Sequence, residues 1–230
     1  MNTADSLRAL MEKKEPLNQD LAKCLTRSHT LGMILRHPLV VAVPYLEPMN
    51  AVYNAQMAHK RSTILQAVKE GQFSRALFLH ERPFRLHAFW TMRETMQPMV
   101  YWELLREVWM DCEEPHVNFR TWIELFEAEI PHRDSLLDAD DHKAVLNLPT
   151  RVDLFRGIRN ARGARGLSWT TNPEKARWFA TRWNAKAPHL CTATVHRRII
   201  ERHGAYFGGR GESEVVIAPQ HLKQIRKEPV

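Results

Sequence analysis

The pattern of apolar residues along the chain changes after Leu148-Pro149-Thr150. Before this point, apolar side chains recur at three- and four-residue steps, which is the period of an amphipathic helix. After it, apolar and polar residues alternate in short runs between glycine-rich breaks, which is typical of β-strands. The sequence therefore predicts an α+β protein, with a helical region over residues 1–148 and a β region over residues 149–230.

The first region is predicted to be helical throughout, with prolines separating short helices. One helix is expected over residues 62–72 with a stop signal at Gly71, a second follows Pro98 over residues 99–110, and a third is capped by Asn118. The expected core faces of these helices are Ile64, Leu65 and Val68; Trp102, Leu105 and Trp109; and Trp122, Leu125 and Phe126. Because the 80 residues after Thr150 are few for an independent core, we expect the helices to pack on the sheet.

Five strands and one helix are predicted in the second region. The strands cover residues 152–155, 167–171, 190–196, 205–207 and 212–218, and the helix covers residues 173–183. The first strand is expected to end at Arg156-Gly157. Asn172 is the expected N-cap of the helix, with Pro173 at its first position.

The positive charge of the chain is concentrated in its last third. The net charge is +7, and residues 151–230 contain 16 Lys and Arg against 6 Asp and Glu, a balance of +10. The preceding 150 residues contain the other 17 basic and 20 acidic side chains, a balance of −3. Nucleic acid, a dinucleotide or an acidic protein surface would each complement the basic third, and a solvated basic face with no partner fits the charge equally well.

Several other classes of protein are not expected. The chain has no apolar run of membrane-spanning length and no signal-peptide pattern at its start, so the expected compartment is the cytoplasm. Three widely spaced cysteines do not form a disulfide framework. Clusters at residues 112–116 and 138–142 contain histidine and acidic groups, but neither has the spacing of a zinc or calcium site. We therefore predict surface loops there and no metal site.

Three short motifs in the second region contain the side chains that could take part in catalysis or ligand binding. They are Arg156-Gly157, Ser168-Trp169-Thr170 and Glu212-Ser213-Glu214. Because side chains alternate along a strand, the two hydroxyls of the second motif share one face, and so do the two carboxylates of the third. On neighbouring strands, these groups would line one cleft. An arginine near the end of a strand can hold a phosphate through two parallel hydrogen bonds.

The order of these motifs resembles the arginine–serine–glutamate class of mono-ADP-ribosyltransferases, which includes bacterial toxins and phage enzymes. Residues 166–180, with the sequence GLSWTTNPEKARWFA, also resemble phage and prophage proteins of that type. The resemblance extends from residue 152 to residue 217. It implies a split β-sandwich that binds NAD in its cleft and transfers ADP-ribose to a protein or nucleic acid in the cytoplasm, which is that of a bacterial host cell if a phage encodes the protein.

The resemblance also implies roles for the catalytic side chains. Glu214 would bond a ribose hydroxyl and stabilise the positive charge that forms as nicotinamide leaves. Glu212 would position or deprotonate the incoming nucleophile. Ser168 would orient the nicotinamide ribose and the Glu214 carboxylate.

Besides Ser168, four residues are expected to bind or support NAD. Arg156, followed by Gly157, would hold the phosphate or ribose, and Thr170 would support its strand. Phe179, with Trp178 and Trp183 nearby, would stack on the nicotinamide, although aromatic residues at helical spacing are at least as often part of a core.

Two other functions remain open at this point. An NAD glycohydrolase would use the same groups with water as the acceptor. A noncatalytic module would use the basic third to bind nucleic acid, with an affinity that falls steeply as salt rises.

Overall fold

The structure is a computed structural model that describes residues 10–182, 184–209 and 211–230, except for the side chains of residues 161 and 162. The protein is α+β and divides into two compact units, Met1–Cys112 and Glu113–Val230. This division precedes the change of pattern at residues 148–149, because the two helices between Glu113 and Leu148 belong to the same unit as the second sheet. In the part of the chain that the structure describes, no helix is both long and apolar enough to cross a lipid bilayer.

The first unit combines a small antiparallel sheet with helices. The helices are α1 (Gln19–Ala22), α2 (Asn50–Lys69), α3 (Phe73–Phe78), α4 (Arg85–Met92) and α5 (Pro98–Asp111). The sheet has the order β1-β2-β3 and contains β1 (Leu25–Ser28), β2 (Gly32–His37) and β3 (Val40–Ala42). Short 3-10 turns occur at Glu47–Met49, Arg82–Phe84 and Arg93–Thr95.

The sheet of the first unit corrects the prediction that this region is helical throughout. Its third strand alternates, with Val40 and Ala42 buried and Val41 exposed. Three residues are too few for such an alternation to be distinguished from a helical pattern in the sequence. The helix predicted over residues 62–72 is the second half of α2, and Gly71 follows it with a left-handed φ of 71°. Its predicted apolar face is partly wrong, because Leu65 is 60% exposed.

Within the described residues of the second unit lie a six-stranded antiparallel sheet and four helices. The strands are β4 (Arg151–Ile158), β5 (Ser168–Thr170), β6 (His189–His196), β7 (Ala205–Phe207), β8 (Glu214–Val216) and β9 (Arg226–Pro229), in the order β7-β8-β5-β4-β6-β9. The helices are α6 (Phe119–Phe126), α7 (Ala139–Asn147), α8 (Pro173–Thr181) and α9 (Arg197–His203). Further 3-10 turns lie at Arg133–Leu136, Ala161–Arg165 and Pro219–His221.

Several helical predictions are confirmed. Pro98 is the first residue of α5, whose Trp102, Leu105 and Trp109 are buried. The predicted core residues of α6 are also buried. Asn172 caps α8, since its side-chain oxygen accepts hydrogen bonds from the backbone nitrogens of Glu174 and Lys175 at 2.9 and 3.2 Å.

Other boundaries differ from the predictions. Strand β4 continues through Arg156-Gly157, because the whole of β4 pairs with β6 without interruption. Strand β8 begins at Glu214, because Ser213 has a left-handed φ of 46° that ends the extended backbone. Helix α9 and strand β9 were not predicted, and α7 begins within residues 138–142, where a surface loop was predicted.

One face of the six-stranded sheet forms the core of the second unit. This core includes Val152 and Leu154 of β4, Trp169 of β5 and Ala193 of β6, with α7 and α9 contributing Val145 and Ile200. The register places Phe155 opposite Thr170, and Thr170 opposite Glu214. Because side chains alternate along each strand, these three residues point away from that core.

The opposite face of the sheet is covered at β4 by helix α8. A Cβ atom on Gly157 would lie 1.8 Å from the carbonyl oxygen of Ala176 and 2.5 Å from the nitrogen of Ala180. Both are backbone atoms, so rotation of a side chain cannot relieve the overlap. Gly157 therefore allows the helix to lie directly against the strand.

We expect Gly157→Ala to lower the free energy of unfolding by about 1–3 kcal/mol or more, because the helix must move away from the strand. Chemical denaturation monitored by circular dichroism measures the change. Gly209→Ala is the matched control, since a Cβ atom at Gly209 has no heavy atom within 4 Å and φ there is not positive. Equal stability of the two variants would show that the helix–strand contact is not tight.

Candidate active site

The three motifs lie on three neighbouring strands, β8, β5 and β4. Strands β5 and β8 pair over three positions, whereas β5 and β4 pair only at Phe155 and Thr170. That single pair joins two three-stranded halves, β7-β8-β5 and β4-β6-β9. The row Phe155–Thr170–Glu214 therefore crosses the junction between the halves.

Glu214 is the buried carboxylate of this row. It is the first residue of β8 and is 9% exposed. Burial of a carboxylate costs free energy unless polar or charged groups compensate it, so a buried glutamate in a sheet marks a polar site within an otherwise apolar layer. Directly opposite lies Thr170, which is 5% exposed.

The Thr170 hydroxyl fixes the turn before β8. Its Oγ1 donates a hydrogen bond to the carbonyl of Glu212 at 2.6 Å and accepts one from the nitrogen of Asn172 at 3.0 Å. The nitrogen of Thr171 also donates to the carbonyl of Ser213 at 3.2 Å. The turn that contains Glu212 is therefore attached to the start of α8.

Glu212 lies outside the strand that contains Glu214. It is half-buried, and the left-handed Ser213 separates the two carboxylates. Strict strand alternation therefore does not apply to this pair, and the expectation that both share one strand face does not hold. Glu212 belongs instead to the turn held by Thr170.

Arg156 holds the connection between β4 and β5. Its Nε donates to the carbonyl of Gly163 at 3.0 Å, and its Nη1 donates to the carbonyl of Ser168 at 2.6 Å. A Cβ atom on Gly166 would lie 2.2 Å from the guanidinium carbon, so a larger residue there would displace this side chain. Among the described residues, no hydrogen bond of Nη2 accompanies those of Nε and Nη1.

The Arg156 side chain starts from the other face of the sheet. Alternation along the continuous β4–β6 pairing places it on the same side as Leu154, whereas Phe155 points with Thr170 and Glu214. Burial lowers the pKa of the guanidinium, and the nearby Cys191 and Glu214 act in the opposite direction. The guanidinium and the Glu214 carboxylate therefore interact electrostatically although their strand positions face opposite sides.

Ser168 and Gly157 differ in how far they fit their predicted roles. Ser168 is half-buried on β5 and lies on the same face of the sheet as Thr170. The predicted role of its hydroxyl, to orient the ribose and the Glu214 carboxylate, requires that face. Gly157 lies on the same face of the sheet as Phe155, but its position is filled by the backbone of α8. Packing against the helix is thus a sufficient reason for a glycine at this position.

Phe179 belongs to an aromatic and cationic cluster on α8. Its ring meets that of Trp178 edge-to-face, with centroids 5.0 Å apart, and Trp178 is 56% exposed. The guanidinium of Arg182 lies 4.4 Å from the centroid of Phe179 and 5.2 Å from that of Trp178. Stacking of Phe179 on a nicotinamide requires a ring face not covered by Arg182. Trp183 lies outside the described residues.

Sequence reasoning missed two polar features around this site. The segment over residues 138–142 was predicted as a surface loop, but Asp138 caps α7, and the buried Asp141 accepts a hydrogen bond from the nitrogen of Gly208 at 2.7 Å. The sequence did contain a signal for the start of this helix, because Asp138 is a residue type that caps helices and acidic residues typical of a first helical turn follow it. Arg226 of the unpredicted β9 lies opposite Thr192, which extends the row of Phe155 across the sheet.

Comparisons of the chain with models of protein families, with curated proteins and with solved structures give no match.

We expect Thr170→Val to lower the free energy of unfolding by about 1–3 kcal/mol, because two hydrogen bonds of about 0.5–1.5 kcal/mol each are lost at nearly constant volume. Urea denaturation measures this change. Thr192→Val is the control, since Thr192 lies on the same face of the sheet and is only half-buried. Equal effects of the two substitutions would contradict the role of Thr170 in holding the turn.

Proposed function

We propose that the protein transfers ADP-ribose from NAD to a macromolecular acceptor, protein or nucleic acid, with Glu214 as the catalytic carboxylate. The observation that carries the proposal is the buried Glu214 directly opposite Thr170, at the junction of the strands that contain the three motifs. The order of the motifs along the chain supports the same function. We propose the cytoplasm of a bacterial cell as the place of the reaction.

The reaction requires stabilisation of positive charge on a ribose. The bond between the ribose carbon and the nicotinamide nitrogen breaks, and its electron pair leaves with nicotinamide. The ribose then resembles an oxocarbenium ion, as in glycoside cleavage. A carboxylate held in place by the sheet stabilises this state more than the ground state. The acceptor then forms a new bond to the ribose carbon and releases a proton, which Glu212 would accept.

We propose that the six-stranded sheet corresponds to the split β-sandwich of ADP-ribosyltransferases. The single paired position between β5 and β4 supports this proposal, because it leaves the two three-stranded halves weakly connected. Ligand entry at that junction would reach Glu214, Thr170 and Ser168 from one side.

Two arginines can neutralise the phosphates of NAD. Arg156 uses its Nε and Nη1 atoms to hold the β4–β5 connection, so Nη2 is the atom that we propose to bind a phosphate. Arg226 is exposed at the far end of the row that contains Phe155, beside Lys227. A shallow pocket there is lined by Thr192, Arg226, Lys227 and Glu228. We therefore add Arg226 to the proposed phosphate-binding residues.

A nucleic-acid-binding module is the second candidate, and the exposed Trp178 beside Arg182 favours it. Exposed aromatic rings with an adjacent guanidinium can stack on bases, and the last third of the chain is basic. An affinity for oligonucleotides that falls steeply with salt, together with no binding of NAD, would select this function.

We expect Glu214→Gln to abolish both the release of nicotinamide and the labelling of acceptors, with a loss of about 100-fold or more, because the charge-stabilising group is removed. Glu212→Gln is expected to reduce labelling while nicotinamide release persists. The assay incubates purified protein with labelled NAD and bacterial lysate, and then counts the protein and nucleic-acid fractions. Glu124→Gln is the control, since Glu124 is an exposed glutamate of α6 that lies in none of the three motifs.

The pattern of the three variants distinguishes the functions. Nicotinamide release without label in either fraction, from the wild type as well, would identify a glycohydrolase. Full activity of Glu214→Gln would overturn the assignment of the catalytic carboxylate. Absence of both products, with no binding of NAD in calorimetry, would leave the nucleic-acid-binding function.

We expect the two arginines to separate NAD binding from stability. Arg226→Ala should weaken NAD binding about tenfold at unchanged thermal stability, because one charge-assisted hydrogen bond is lost at an exposed position. Arg156→Ala should weaken binding and also lower the melting temperature, because the carbonyls of Gly163 and Ser168 lose their donor. Calorimetric titration with NAD and differential scanning calorimetry provide the two readouts. Unchanged NAD affinity in Arg226→Ala would remove that residue from the binding site.

A further inference from the structure

Three side chains from three separate segments of the second unit meet at one point. Glu127 is the C-cap of α6, His203 is the last residue of α9, and His221 ends the 3-10 turn Pro219–His221. The Nε2 atom of His221 lies 2.7 Å from one Glu127 oxygen, and the Nδ1 atom of His203 lies 3.6 Å from the other. One ligand atom from each residue lies within 4.8 Å of the others.

We propose that Glu127, His203 and His221 bind a divalent transition-metal ion of the zinc class. Two imidazole nitrogens and one carboxylate oxygen are a donor set that zinc accepts, with water in the fourth position. Ligand distances of about 2.0–2.2 Å in a tetrahedron place the donor atoms about 3.3 Å apart. His221 Nε2 and His203 Nδ1 lie 2.7 and 3.6 Å from different oxygens of Glu127, and one ligand atom from each residue lies within 4.8 Å of the others, so side-chain rotation is needed to bring three donor atoms to that separation.

A single arginine brings two of the three ligands together. Arg133 donates hydrogen bonds to the carbonyls of Phe126 and Gly204, the residues next to Glu127 and His203. The ends of α6 and α9 are therefore held side by side by backbone contacts, whether or not the ligands themselves interact. This arrangement lowers the entropy cost of assembling the site.

The cluster is also accessible from solvent. The exposed fractions of the side chains are 18% for His221, 24% for Glu127 and 30% for His203. An ion can therefore enter without unfolding of the unit, and a water molecule can complete its coordination. The site is separate from the proposed active site, since it uses none of the motif residues.

Binding requires a local change in the two histidines. Their rings are stacked, with centroids 4.2 Å apart and planes inclined by 18°. A metal ion lies in the plane of each imidazole that binds it, so two nearly parallel rings must rotate until their planes meet at the ion. Arg133 and Arg202 are positively charged groups near His203, and they oppose the cation. Glu127 supplies the negative charge that offsets them.

Zinc titration of the full-length, chelator-treated protein tests the proposal. We expect one Zn²⁺ ion per chain in isothermal titration calorimetry and a higher melting temperature with the ion. Glu127→Gln, His203→Asn and His221→Gln should each weaken binding at least tenfold. His116→Gln is the matched control, because His116 is an exposed histidine of the same unit outside the cluster, and its affinity should equal that of the wild type.

A second measurement does not depend on the stability of the variants. Co²⁺ added to the wild-type protein should give the visible absorption of a tetrahedral nitrogen and oxygen site, without a charge-transfer band from thiolate. Either a thiolate band, no stoichiometric binding, or equal Zn²⁺ affinity in the three cluster variants and the control would overturn the proposal. The last result would identify adventitious binding by surface histidines.

Discussion

The two halves of the sheet in the second unit meet at one paired position, and the Arg156 guanidinium adds two hydrogen bonds beside it. Backbone pairing between β4 and β5 is limited to Phe155 and Thr170. The bonds from Arg156 to the carbonyls of Gly163 and Ser168 hold the connecting segment closed. The geometry around Glu214 depends on this junction, because β5 lies between β8 and β4 in the sheet.

Helices and strands could be predicted from the sequence where the residues that specify them lie within a short segment. The cap at Asn172, the proline that begins α5 and the alternation of β6 are each contained within a few residues, and all three occur as predicted. The strands of the first unit were missed because the first two do not alternate between buried and exposed residues and the third is only three residues long. Strand β9 was missed because each of its residues is exposed, so no alternation of polar and apolar groups marks it.

The residues of the candidate site could be proposed from the sequence, but their positions relative to one another could not all be predicted. That Glu214 lies opposite Thr170 follows from the register of β5 and β8, which depends on the whole sheet. The left-handed conformation of Ser213 separates Glu212 from the strand, and serine gives no sequence signal for that conformation. The cluster of Glu127, His203 and His221 had no motif spacing at all, because tertiary packing alone brings its three segments together.

The Thr170 hydroxyl has a mechanical consequence for anything that binds near Glu212. One oxygen atom bonds both the turn before β8 and the backbone at the start of α8, so displacement of the turn is transmitted to the helix. The same helix contains Trp178, which is largely exposed and lies against Phe179. We therefore expect a ligand that displaces the turn to change the surroundings of this indole ring, and with them the tryptophan fluorescence of the protein.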